Sequence, residues 1–236
     1  EAHRDNPQAA EDPDLIDYLL AAEAENRDLL SEAEMRIGAI GPYLAGIDTS
    51  AGTISFMLYA LLKNPEVIER LRPEIEEAFA AGPLTAAAAR QMKLTTAATI
   101  ETLRMYPVAP MLPRTVAKPF VFAGYQFNVD GPVMVGTAVA HYDPKLYRDP
   151  HVYDIDRCLP PRKEHRQPGA LAPFGLGAHT CAGAGFAEVQ IMMTIATLLH
   201  DYDLQMEPAD YELKIALNPS PAPNENFRIS VRPRAV

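Results

Sequence analysis

A chain of 236 residues, 48% apolar and 22% charged, is long enough to bury a sizeable core and has the composition of a globular protein. Its net charge of −10, with Glu11, Asp12, Asp14, Asp17, Glu23, Glu25, Asp28, Glu32 and Glu34 crowded into the first third, argues against a nucleic-acid partner, and no apolar run looks long enough to span a bilayer. Two cysteines, Cys158 and Cys181, with no secretory signal ahead of them, give no support for an oxidising compartment, so the expected location is cytoplasmic.

Along the chain the pattern is mostly helical, with β-like segments gathered in two places, giving a mainly α fold with small β sheets (α+β). Leu15, Ile16, Leu19 and Leu20 carry a helical spacing over 14–24, introduced by the capping candidates Asp12 and Asp14 around Pro13. Ser31 and Glu34 form a capping-box pattern, and apolar residues then recur through Ile37, Ile40, Leu44, Ile47, Ile54, Met57 and Leu61. This predicts one long central helix over 31–62. Pro65 opens another helix, with Val67, Ile68, Leu71, Ile75 and Phe79 on its apolar face and Gly82-Pro83 as its stop.

A helix over 94–106 ends before Pro107. Alternation from Arg114 to Val135, with turns at Gly124 and Asp130-Gly131, predicts a small β region. The proline-rich and charged stretch 143–168 reads as an irregular packed meander. A helix continues through 192–199, and 211–231 supplies final short strands.

Residues 172–185 place Cys181 in a glycine-rich loop that opens onto that last helix. Gly175, Gly177 and Gly183 permit positive φ and close approach of a flat ligand, while a helix starting near Ala182 aims its dipole at the sulfur and favours thiolate, the metal-binding form. A buried small hydrophobe is the alternative for a cysteine before a helix. Zinc through Cys158, His179 and Cys181 fits no structural spacing. The run Phe-x-x-Gly-x-His-x-Cys-x-Gly, from Phe174 to Gly183, resembles the heme-thiolate loop of the cytochrome P450 monooxygenases, of the bacterial type.

That resemblance implies the cytochrome P450 fold, here its C-terminal heme-binding portion within one domain, with heme b as cofactor. It makes Cys181 the axial ligand of heme iron and packs Phe174 beside the sulfur. Gly175 and Gly183 belong to the loop, and His179 and Arg114 would meet the propionates. Family members are much longer, which places a missing portion before Glu1; its absence would leave apolar surface open to self-association or to pairing with the missing N-terminal half.

Ala45-Gly46-Ile47-Asp48-Thr49-Ser50 gathers residues that helix interiors avoid. Either the helix ends at Gly46 and restarts at a cap, or the segment is distorted around a ligand. It resembles the family's oxygen segment, which implies a catalytic, proton-delivering role for Asp48 and Thr49, with Ala45 and Gly46 lining an oxygen pocket. Glu101-x-x-Arg104 alone reads as an ordinary exposed pair. By resemblance these two join Arg157 in a structural cluster holding the heme loop.

Val108, Met111 and Leu112 form an apolar, proline-constrained wall on the substrate side, and Tyr43, Leu44 and 218–220 could face substrate or serve as core and turn. Arg157, Arg162, Lys163, His165 and Arg166 form either a docking face for an acidic electron donor or a solvated charge run. The implied reaction uses dioxygen to oxidise a small apolar substrate. Electrons come from a donor such as a ferredoxin or flavodoxin with its reductase, since no flavin or nicotinamide fingerprint occurs. A noncatalytic heme-binding fragment and a peroxide-driven heme enzyme are the alternatives.

Overall fold

Residues 13–26 and 30–234 are described by a computed structural model. Glu11, Asp12 and Asp28 of the acidic run lie outside them. The chain divides into two compact units, Glu1–Asp48 and Thr49–Val236.

In the first unit, α1 (Leu15–Glu25) starts at Asp14, whose carboxylate accepts from the amides of Ile16 and Asp17 while the Asp17 carboxylate accepts from the Asp14 amide, a reciprocal capping box. The long helix α2 (Glu32–Lys63) begins as predicted, with the Ser31 hydroxyl and the Glu34 carboxylate exchanging bonds with each other's backbone amides. Leu19 of α1 packs over Gly38 of α2, its methyls 3.4 and 3.5 Å from where a Cβ on that glycine would stand. Ile37, Ile40, Tyr43, Leu44 and Ile47 are exposed.

The break considered at Gly46 does not occur: α2 is continuous across 45–50. The 32 residues of α2 also amend the expectation that no stretch could span a bilayer, because by length and composition this helix could cross one. Its C-terminal half, however, is a core element, with Phe56, Met57, Ala60 and Leu61 each at most 1% exposed.

The second unit is built on that half of α2. Helix α3 (Pro65–Phe79) has proline at its first turn and buries Val67, Leu71 and Ile75; α4 (Ala86–Ala89) is a single turn capped by Thr85. Helix α5 (Lys93–Met105) has no cap from its own preceding residue. Instead, the Glu74 carboxylate on α3 accepts from the amides of Leu94 and Thr95 at 2.9 Å each. Helix α6 (Ala184–Asp201) buries Ile191, Met192, Ile195, Ala196 and Leu199 against Met57, Leu61, Leu71 and Ile75, closing the main core.

Among the described residues the β structure is four two-stranded antiparallel ladders: β1 (Leu112–Thr115) with β4 (Pro132–Val135), β2 (Phe120–Phe122) with β3 (Tyr125–Phe127), β5 (Tyr202–Glu207) with β8 (Arg228–Pro233), and β6 (Ile215–Ala216) with β7 (Ala222–Pro223). Strand β5, running directly out of α6, was not anticipated. The 143–168 segment is the packed meander expected, with short 3-10 turns at Ile155–Cys158 and Glu164–Arg166.

Candidate functional site

The cysteine loop is shaped by two glycines at φ +76°, Gly175 and Gly177. Gly183, expected to share that conformation, sits at φ −89° as the residue before α6. A Cβ there would lie 3.9 Å from Cys181 Sγ, an ordinary contact, so neither backbone angle nor crowding within the chain demands glycine at this position. The helix starts at Ala184, two residues later than predicted. Cys181 is pinned by its own amide, which donates to the Phe174 carbonyl at 2.9 Å, and its thiol is free and exposed.

Strand β1 abuts this loop. A Cβ at Gly175 would come within 3.1 Å of Leu112 Cδ1, so the loop and the apolar wall meet there. Arg114 lies two residues along β1 on the face of Leu112, half-buried, with its guanidinium on the Pro113 carbonyl. His179 is exposed in the turn Gly177–His179. Exposed Met111, Leu176 and Phe186 stand on segments flanking the thiol; the last two were not singled out from sequence, because isolated apolar residues in a loop or on a helix face carry no pattern.

On α2, Thr49 stands one turn before Gly52, whose missing side chain lets the Pro221 carbonyl approach to 2.6 Å of the Cβ position, with Val108 Cγ1 at 3.3 Å. This brings the wall residue Val108 and the loop after 218–220 against one turn of α2. Ala45, Gly46 and Asp48 lie on α2 in the other unit, with Ala45 and Asp48 exposed.

The densest polar cluster among the described residues joins helix α5 to the meander. Glu101, Arg104 and Arg157 are fully buried, so the reading of Glu101 and Arg104 as an ordinary exposed pair is overturned. Glu101 accepts from Arg104 Nε and Nη2 at 2.8 Å each, from Arg157 Nε at 2.9 Å and from the Asp154 amide at 3.1 Å. Arg104 Nη1 donates to the His141 and Pro150 carbonyls.

Arg157 commits all five of its donors, to Glu101, Glu164 and the carbonyls of Arg148, Asp149 and Val152. It is therefore no part of a docking face, which corrects that expectation. Arg162 is half tied down, bonded to Asp154 and Glu164. Glu164 was missed because it sits in a charged run that looks solvated. Burial would raise its pKa, but the bonds from Arg162 and Arg157 outweigh this and hold it below the usual carboxylate value. Arg104 lies over the Tyr147 ring at 4.9 Å.

The two cysteines divide by environment. Cys158 is buried, and desolvation pushes its thiol well above the ordinary range, which keeps it protonated. Among the described residues no group of three or more His, Cys, Asp or Glu could hold a bare metal ion. A single accessible thiol, a glycine cradle and an apolar surround fit heme: one protein sulfur on the iron, with apolar contact for the macrocycle.

Fold and site together define a mainly helical protein with an exposed thiol on a glycine-shaped loop and a buried charge cluster between its helices and its meander. The family model for cytochrome P450 matches residues 1–227, and the chain belongs to that family. Membership brings heme as the cofactor. The chain is 32% identical over 225 residues to Probable cytochrome P450 6a13 of Drosophila melanogaster, covering 93% of this chain and 44% of that protein. It is 32% identical over 200 residues to Cytochrome P450 4X1 of Mus musculus, covering 82% and 39%. A solved cytochrome P450 (CYP102L1) superposes with a TM-score of 0.87 at 26% identity, over 99% of this chain and 53% of that one, and the cytochrome P450DA heme domain with 0.79 at 26%, over 87% and 45%. The chain thus spans less than half the length of the curated relatives it matches. These relatives are animal proteins, and the narrower bacterial type does not follow from them.

Proposed function

We propose that the protein is a heme-thiolate monooxygenase. The exposed, backbone-pinned Cys181 thiol on a glycine-shaped loop is the observation that carries the reading. Bound heme would supply reductive activation of dioxygen, with one oxygen atom going into a small apolar substrate. The Cys181 thiolate would hold the iron, and the Phe174 carbonyl keeps that residue from turning away. Arg114 and His179 would neutralise the propionates. Asp48 and Thr49 would pass protons from solvent, beside Ala45 and Gly46, while Val108, Met111 and Leu112 orient the substrate and exclude water.

Electrons would come from a ferredoxin or flavodoxin with its reductase, docking on the exposed Lys163 and Arg166. Two free thiols, one of them exposed, suit a reducing, cytoplasmic setting. The exposed row from Ile37 to Ile47 supports association of that helix face with further polypeptide, either the remainder of a longer protein or a second copy.

The deciding experiment is the absorption spectrum of the heme-loaded, reduced protein under carbon monoxide. A strongly red-shifted Soret band that disappears in Cys181→Ser is expected; a band unchanged by that substitution would refute the ligand assignment. Thr49→Ala should then raise the fraction of electrons lost to hydrogen peroxide, as peroxide and product are counted per electron supplied. Unaltered coupling would remove Thr49 from proton delivery.

A further inference from the structure

One fully buried imidazole has no part in the site above, although the carbonyl of its residue accepts from Arg104. His141 lies in the 3-10 turn Val139–Tyr142 after β4 and is 0% exposed. Its Nδ1 is 3.0 Å from the carbonyl oxygen of Arg104 on α5, and its Nε2 is 3.0 Å from the amide nitrogen of Ala172. A carbonyl only accepts and an amide N–H only donates, so the ring satisfies both solely as the neutral tautomer with its proton on Nδ1. Its own carbonyl receives Arg104 Nη1 at 2.6 Å. Ala172, itself 4% exposed, is two residues ahead of Phe174, whose carbonyl pins Cys181. An unbroken line of bonds and short chain thus joins Glu101, Arg104, His141, Ala172, Phe174 and Cys181.

We infer that His141 is a positioning residue, the strut through which the Glu101–Arg104 helix sets the start of the cysteine loop and so the place of the sulfur. This rests on Cys181 being the iron ligand. Proton uptake on Nε2 would set two donors against each other at Ala172 and loosen the loop. Burial, with the Arg104 charge beside it, holds the ring pKa below that of a free imidazole against the opposing bond to the Arg104 carbonyl. The other charged and titratable groups acting around Arg104 are Glu101, Tyr142 and Tyr147.

The test uses the heme-loaded protein. Imidazole nitrogen shifts should show His141 protonated at Nδ1 and bare at Nε2, without titration from about pH 8 to about pH 6. The opposite tautomer, or a midpoint near 6.5, overturns the inference. His141→Asn keeps a donor near the Arg104 carbonyl but no longer reaches Ala172; His141→Gln carries an acceptor far enough out to reach it. Exchange of the Ala172 amide should quicken about tenfold in the first and stay near its original rate in the second. The red-shifted band per folded protein should fall in Asn and recover in Gln.

Equal exchange in both variants, or loss of the band only in proportion to unfolded protein, refutes the strut. If a variant fails to fold, the tautomer in the unmodified protein decides. A red-shifted band that survives Cys181→Ser would instead remove the ligand reading, while tautomer and exchange still report on the bond between His141 and Ala172.

Discussion

The charge cluster around Glu101 and the cysteine loop are opposite solutions to holding polar atoms. In the cluster every ionic group is paired: the buried Glu101 and the partly buried Glu164 face two buried guanidiniums, Arg104 and Arg157, and backbone carbonyls take the remaining donors. In the loop the thiol is exposed, and only backbone atoms fix it. The difference separates a part locked by its own side chains from a part whose side chain is open to a ligand. A buried ion network tolerates no loss of a partner, whereas an exposed side chain can be exchanged with little effect on the fold.

The most severe way to break the cluster is Glu101→Gln, which leaves two buried guanidiniums facing a neutral amide. We expect a loss of about 3 to 5 kcal/mol by chemical denaturation. A loss below about 1 kcal/mol, the range of surface pairs, would show that the cluster is hydrated in solution. Acid should break it reversibly and by less. Against desolvation, Glu164 is held below its ordinary value by bonds from Arg162 and Arg157, and Asp154 by bonds from Arg162 and the Asp156 amide. The unfolded chain therefore takes up their protons first, and their contribution is complete above the ordinary value of 4.5 for Glu164 and declines as the pH falls below it. Stability measured against pH, compared with Glu164→Gln, isolates that share.

The two cysteines sharpen the contrast further. Cys158→Ser puts a hydroxyl where desolvation keeps a thiol neutral and should cost about 1 to 3 kcal/mol. Cys181→Ser should change the stability of the heme-free chain by no more than about 0.5 kcal/mol, read from the same unfolding curves. Reversal of that order would mean that the loop, not the meander, is the structural cysteine's place.

Much of this was legible in the chain itself. The long helix, its Ser31–Glu34 start, the proline-led α3 and the cysteine loop all rest on local spacing, and local spacing is what a sequence displays. The break weighed at 45–50 did not occur: α2 runs unbroken through Gly46, Asp48 and Thr49, where propagation from the packed C-terminal half outweighs a modest local propensity cost. Strand β5 escaped notice since Tyr202, Leu204 and Met206 alternate for only six residues with no turn residue separating them from α6. Arg157 seemed to be surface charge because its neighbours are charged; the carbonyls that enclose it come from the turn around 148–152. His141 gave no signal at all, its partners lying 37 and 31 residues away.

Glu74 holds a further lesson. Helix α5 has no stop-and-start signal of its own at its N-terminus; the carboxylate that completes it belongs to α3, twenty residues earlier. The first turn of α5 is thus a product of docking rather than a precondition for it. The two helices should gain and lose order together, as one cooperative unit, with the Leu94 and Thr95 amides opening only when α3 lifts away.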